Sequence, residues 1–356
     1  MYAVIMAGGG GTRFWPLSRL KRPKQLLNIL NDQSMIQSTI SRLEGVVEKD
    51  QIFIVTTAQQ TAEIQAQLPF LKSDNLIIEP KGKNTAACIG LAAVFLKRID
   101  PELVMVVLPS DHRIENEDQF RKILQAAEQM AVKENFLVTI GITPSYPATG
   151  YGYVQFDKLL ADENSIPIYA VKTFAEKPDI KTAERFLNCG DFLWNSGMFI
   201  WKVKTILAEI EKSMPELYDG LMEIDRSFGT SQQQAVLQRV YCQIKSISID
   251  YGVMEHSDNV CVVKGDFNWN DVGSWDEVYK ISPKDQHKNV VSGNHLLKDT
   301  KGCLIDCRDR FVAAIGVENL IVVETEDALL ICPRDRAQDV KDMVELMKRK
   351  NFDQYL

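Results

Sequence analysis

Histidine is scarce in this 356-residue chain: His112, His256, His287 and His295 are too few and too scattered to make a zinc site. Paired cysteines are missing as well. The seven cysteines, Cys88, Cys189, Cys242, Cys261, Cys303, Cys307 and Cys332, are odd in number and include no C-x-x-C, which suits buried thiols in a reducing compartment. Only Cys303 and Cys307 are close in sequence, and their spacing puts both on one face of a strand, as a core pair. Positive charge is in deficit. With 41 Lys and Arg against 48 Asp and Glu, the formal net charge is -7, so the chain lacks the positive face a general nucleic-acid binder needs. Also absent is a basic leader or an apolar stretch of membrane-spanning length, because Met1 to Ala7 runs straight into glycines. No signal peptide and no membrane association are therefore expected, and the location expected is cytoplasmic.

What is present is the composition of a globular protein, 45% hydrophobic and 25% charged, with room for one large core and a smaller one. Apolar runs at Ala3–Met6, Ile52–Val55, Leu103–Leu108 and Leu137–Ile140 read as buried parallel strands. Helical patterns lie between them. Ser34 to Gln37 has capping-box spacing, and Asn84-Thr85 opens a small-residue run from Ala86 to Leu96. The alternation implies an α/β class, a Rossmann-like doubly wound domain over residues 1–281. Near Ser282-Pro283-Lys284 the pattern breaks into a polar linker. Residues 282–356 then read as a small β-rich C-terminal domain, closed by an amphipathic helix over Arg336–Lys350 with Val340, Met343, Val344 and Met347 on one side. That apolar side suggests a homodimer contact.

Directly after the first strand comes Ala7-Gly8-Gly9-Gly10-Gly11-Thr12-Arg13, with Lys24 downstream. Without Cβ atoms, backbone N–H groups can approach an anion closely, and Arg13 and Lys24 add fixed charge: a polyphosphate cradle. Two commoner glycine motifs do not fit. A Walker A loop would close on G-K-[ST], but this run ends Gly11-Thr12-Arg13. A dinucleotide fingerprint would need a third glycine where Phe14 stands, and an acidic residue where basic ones dominate.

Other segments carry candidate chemistry. Glu79-Pro80-Lys81-Gly82-Lys83-Asn84-Thr85 lies between a strand and a helix, where backbone donors and an amide can read a base edge. Asp111 follows a strongly apolar strand, at the edge where doubly wound domains bind ligands, and Asp271 sits in an aromatic turn, Phe267 to Trp275. Two carboxylates plus phosphate oxygens and water satisfy Mg²⁺.

The combined string G-G-T-R-x-x-P-L-S with P-K-Q downstream resembles the signature of the nucleotidyltransferases that make nucleotide sugars. Among them it is most similar to the mannose-1-phosphate guanylyltransferases, and the resemblance runs over nearly the whole chain. It implies a mixed sheet, GTP and mannose 1-phosphate as partners, and Mg²⁺ as cofactor held by Asp111 and Asp271. Nucleotide contacts would come from Ala7, Gly8, Gly10, Thr12, Arg13, Lys24, Glu79, Asn84 and Thr85, and sugar-phosphate contacts from Tyr151, Gly152, Glu176, Lys177, Asn195 and Gly197. Arg13, Lys24 and Lys177 would be catalytic. Cys88 and Gly252 depart from the family pattern, where proline comes nearby and alanine is usual. The segment around Gly252, Ser248 to Glu255, reads as structural or as backing for the site residues. Left open are a nucleotidyltransferase for a different sugar and a catalytically silent nucleotide-sugar sensor. Isomerase activity, which some bacterial relatives carry in a further domain, is not expected.

Overall fold

A computed structural model describes residues 1–356. Eleven strands precede the polar linker: β1 (Tyr2–Met6), β2 (Ile52–Thr57), β3 (Leu76–Glu79), β4 (Val104–Pro109), β5 (Arg113–Ile114), β6 (Leu137–Ile142), β7 (Tyr153–Glu163), β8 (Ile166–Ala175), β9 (Phe192–Lys202), β10 (Val260–Gly265) and β11 (Trp269–Asn270). Nine of them form one sheet in the order β3-β2-β1-β4-β9-β6-β10-β8-β7. The apolar runs read from the sequence are β1, β2, β4 and β6. Their residues alternate between two cores: Ala3 and Ile5 enter one, Val4 the other. A strand covered on both faces has no polar side, which is why these runs lack alternation.

The sheet is mixed because β9 runs antiparallel between β4 and β6. Its Trp-Asn-Ser-Gly stretch carries Asn195 and Gly197. The helix Asn84–Lys97 packs across one face with nearly every residue from Ala86 to Leu96 buried. Its small residues permit close contact, and a Cβ on Gly90 would lie 2.5 Å from Leu221 Cδ1. Ser34 and Gln37 form the expected capping box on the helix Met35–Ser41.

Six short strands follow the linker: β12 (Val290–Ser292), β13 (His295–Lys298), β14 (Leu304–Asp306), β15 (Val312–Ile315), β16 (Leu320–Glu324) and β17 (Leu329–Pro333). They stack into two narrow sheets, β12-β14-β16-β17 and β13-β15, largely parallel. Cys303, Ile305 and Cys307 alternate inward to a small core, both thiols free and buried.

The closing helix is shorter than its sequence pattern suggests: a 3₁₀ stretch, Arg334–Asp339, precedes the α-helix Val340–Arg349. Val340, Val344 and Met347 are buried against Phe14, Trp15, Val272 and Trp275, whereas Met343 on the flank is 49% exposed. Three of the four stripe residues are thus covered within the chain, tying the C-terminal strands to the glycine loop. No helix is long and apolar enough to cross a membrane.

Candidate active site

The glycine loop leaves β1 at its C-terminal end. Gln25 holds it from beneath, its Nε2 donating to the carbonyls of Ala7 (2.8 Å) and Gly9 (3.1 Å). Gly8, Gly9 and Gly10 remain exposed, so their backbone faces solvent rather than the core. Gly11 has φ +58, and a Cβ there would come within 2.4 Å of Lys24 Cβ, a clash no relaxation of a flexible tip could relieve. The next turn, Thr12–Phe14, buries Phe14 and leaves Arg13 exposed without an ion pair.

Lys24 is 5% exposed, and its Nζ donates to Asp111 Oδ2 at 2.8 Å and to the Asp271 carbonyl at 2.7 Å. A small ladder brings these aspartates together: β5, just after Asp111, pairs antiparallel with β11, just before Asp271. Trp269 Nε1 adds a 3.1 Å bond to His112 Nδ1 across the same ladder. Burial lowers the His112 imidazole to about 4, which keeps it a neutral acceptor at neutral pH. Burial acts to raise the Asp111 carboxyl, but the Lys24 ammonium outweighs it and the group ends below its ordinary range. Asp271 goes the other way. Its burial wins over the Tyr151 hydroxyl, which donates to Oδ1 at 2.7 Å, and over Lys24. Val272, beside it, is a buried β-branched residue at φ +49, held there by its N–H bond to Asn270 Oδ1. Such strain persists only where the surroundings fix it.

No three His, Cys, Asp or Glu side chains cluster as a closed metal cage. The two aspartates fit a hard cation that completes its shell with phosphate oxygens and water, as Mg²⁺ does.

Tyr151 connects this cluster to the candidate sugar-phosphate residues, its ring 5.4 Å from Trp269 and 5.0 Å from Trp194. There Gly152, Glu176, Lys177, Asn195 and Gly197 meet. The Asn195 N–H donates to the Gly152 carbonyl at 2.8 Å, and a Cβ on Gly152 would stand 2.4 Å from Glu176 Oε2. Lys177, exposed and at φ +47, pairs with the Glu176 carboxylate. The Asn195 Oδ1 accepts from Thr139 Oγ1 and the Gly197 N–H, while Nδ2 donates to Asp250 Oδ1 at 2.8 Å. Asp250 comes from the segment read as structural. Burial, then the Glu176 charge, raises its carboxyl to about 6.

In the segment read as a candidate base reader, Glu79 ends β3 at 3% exposure, its Oε2 abutting Gly8. Burial raises its carboxyl to about 7, against the Tyr241 hydroxyl 3.3 Å away. Asn84 is exposed at φ +68 with its Oδ1 accepting from the Thr85 N–H, and Thr85 Oγ1 accepts from the Ile249 N–H. The structure therefore groups the candidate residues at one edge of the sheet. Gln25, His112, Trp269 and Asp250 are support that no local spacing revealed, although Gln25 stands inside the quoted P-K-Q string.

Residues 2–288 match the family model described as Nucleotidyl transferase, and residues 293–347 match the MannoseP isomerase/GMP-like beta-helix domain. A mannose-1-phosphate guanylyltransferase of Klebsiella pneumoniae is 41% identical over 99% of this chain and 75% of its own length. One from Escherichia coli is 40% identical with the same coverage. Among solved structures, a protein described as mannose-1-phosphate geranyltransferase from Thermus thermophilus superposes with a TM-score of 0.87 at 32% identity, over 98% of this chain and 99% of that one.

Proposed function

The chain belongs to the nucleotidyl transferase family, and from that premise we propose that it transfers GMP from GTP to α-D-mannose 1-phosphate, giving GDP-mannose and pyrophosphate. The observation that carries the chemistry is the meeting of Lys24 with Asp111 and Asp271 between the glycine loop and the sugar-side cluster. A phosphate oxygen of the sugar phosphate attacks the α-phosphorus in line. The new O–P bond forms as the bond from the α-phosphorus to the bridging oxygen breaks, and pyrophosphate leaves with the electron pair.

The attacking oxygen is already ionised near neutral pH, so no protein base is required, and catalysis consists of positioning and electrostatics. Arg13 and Lys24 neutralise the triphosphate. Lys177 aligns the sugar phosphate, and Glu176, Asn195 and the backbone at Gly152 and Gly197 hold sugar hydroxyls. Asp111 and Asp271 would hold Mg²⁺, which supplies Lewis-acid stabilisation of charge on the phosphates. Glu79 faces the base. A carboxylate accepts both the N1–H and the exocyclic amine of guanine, whereas adenine offers no such pair, and this supports GTP over ATP.

A matrix of nucleoside triphosphates against sugar 1-phosphates with Mg²⁺, scored by pyrophosphate release, tests the proposal. Turnover should be highest for GTP with mannose 1-phosphate. A chain that binds GDP-mannose yet releases no pyrophosphate from any pair would refute it.

A further inference from the structure

Beside His112, and lined by no residue of the glycine loop, lies a cavity of about 250 Å³. It is bounded by the helix Met35–Ser41, by β5 and by the linker at Ile281–Pro283. Arg42, at the end of that helix, lines it and is 4% exposed. Its guanidinium makes a single hydrogen bond, from Nη1 to the His112 carbonyl at 3.0 Å, and Nε is buried with no partner. No carboxylate lies within ion-pair distance of it, and Glu117 acts on it only through its charge. Glu117, the acidic residue on the cavity wall, is engaged by Arg121 at 2.9 Å, and Arg113 on the same wall is engaged by Glu115. Ser38 and Ser41 add hydroxyls to the lining.

A buried charge without a direct ion-pair partner is costly, and a guanidinium is the side chain best shaped to take an oxyanion. Burial, opposed by the Glu117 charge, pulls the Arg42 guanidinium down to about 10, still fully charged at neutral pH. We propose that this cavity is a second binding site for a small phosphate-bearing anion, held by Arg42, and that its occupancy alters turnover through the Asp111 turn. The coupling path is short. Arg42 grips the carbonyl of the residue after Asp111, and that residue begins the turn into β5, whose partner β11 leads to Asp271. An anion that draws the guanidinium toward the cavity changes its hold on the His112 carbonyl, and with it the ladder that sets both aspartates.

The test separates this site from the nucleotide loop. Inorganic phosphate and, in a parallel arm, pyrophosphate are titrated calorimetrically into EDTA-treated protein: wild type, Arg42→Gln, and Ser38→Phe, which fills the cavity from its rim. Both variants should lose one binding event that the wild type and Lys24→Ala retain. Tighter binding of pyrophosphate would identify the reaction product as the natural occupant. At saturating GTP and mannose 1-phosphate, phosphate should change the wild-type kcat at least about two-fold and leave Ser38→Phe unmoved. The proposal fails if Arg42→Gln and Ser38→Phe bind phosphate as the wild type does, or if phosphate bound at Arg42 leaves kcat unchanged. The binding arm needs no turnover, so it stands or falls independently of the proposed reaction.

Discussion

The Lys24 ammonium lies 2.8 Å from the Asp111 carboxylate, so a cation contributed by the segment after the glycine loop holds the metal-site candidate 87 positions downstream. The same Nζ reaches the Asp271 carbonyl at 2.7 Å. Removing the Lys24 or the Asp271 side chain should leave the sheet intact, because neither belongs to the two large cores. Lys24→Ala and Asp271→Ala are expected to keep the wild-type circular dichroism spectrum and to lose about 10²–10³-fold in kcat, by analogy with the loss of one oxyanion donor. Near-wild-type pyrophosphate release from both would remove Lys24 and Asp271 from the mechanism.

Tyr151→Phe keeps the ring against Trp194 and Trp269 and deletes only the bond to Asp271 Oδ1. That bond opposes the rise that burial imposes on the Asp271 carboxyl, so without it the group protonates at still higher pH. A hydrogen bond to a charged group is worth roughly 1.5–3 kcal/mol, so kcat/KM should fall about ten-fold or more. Its acid limb should move upward in pH. An unshifted acid limb would argue that Asp271 need not be ionised.

Glu79 carries a pH signature in stability. Its carboxyl is raised from 4.5 to about 7 by burial, so folding favours the protonated form. The stabilising contribution is complete below the unfolded value and is lost as pH rises through the folded one. The gap corresponds to roughly 3 kcal/mol. Chemical denaturation from about pH 4 to about pH 8 should therefore show the wild type losing that much relative to Glu79→Gln, which cannot ionise. Parallel curves would mean that Glu79 is already ionised in the free protein. In the proposed complex, guanine N–H groups favour the carboxylate, so GTP should bind more tightly as pH rises through about 7, and Glu79→Gln should lose that dependence.

Local signals made part of this legible. Unbroken apolar runs announced β1, β2, β4 and β6 because both faces of the sheet are covered, and the Ser34–Gln37 box announced a helix start through side chains three positions apart. The glycine run and its basic neighbours announced an anion site for the same reason: the chemistry is contiguous. Contacts between distant segments left no such trace. Tyr151 meets Asp271 across 120 positions, Arg42 meets His112 across 70, and Asn195 meets Asp250 across 55. Tyr151, Asp271 and Asn195 were marked one by one by their own segments, but nothing in those segments says which distant residue each one meets. The inward turn of Val340, Val344 and Met347 was equally hidden, since an apolar stripe does not say whether its cover is the same chain or another.

Gly11→Ala should be the most damaging single-methyl change in the loop. The residue is at φ +58, where an L side chain is strained, and the new Cβ would sit 2.4 Å from Lys24 Cβ and 2.7 Å from its backbone nitrogen. Relief requires moving the 3₁₀ turn Lys24–Leu26, and with it the ammonium. Loss of both thermal stability and turnover is expected, in contrast to Gly9→Ala, whose Cβ would meet nothing within 4 Å. Equal activity in the two variants would show that loop position is not set by Lys24.

The C-terminal segment should support the site from behind rather than merely follow it. Trp15 Nε1 donates to the Tyr355 carbonyl at 2.8 Å, Arg19 pairs with Asp327 at 2.7 Å, and the closing helix buries Val340, Val344 and Met347 against Phe14 and Trp275. Phe14 also lies beneath Lys24, its ring 5.5 Å from the ammonium. Truncation after Arg334 exposes this apolar contact and frees the turn that carries Arg13, so the KM for GTP should rise and the melting temperature fall together. The gentler Val344→Ala cuts the contact without exposing the chain end and should cost about 1–3 kcal/mol, the transfer of two buried methyl groups plus a small cavity. If Val344→Ala lowers stability by that amount while KM and kcat stay at wild-type values, the segment is only a structural cover, and the glycine loop holds its shape without it.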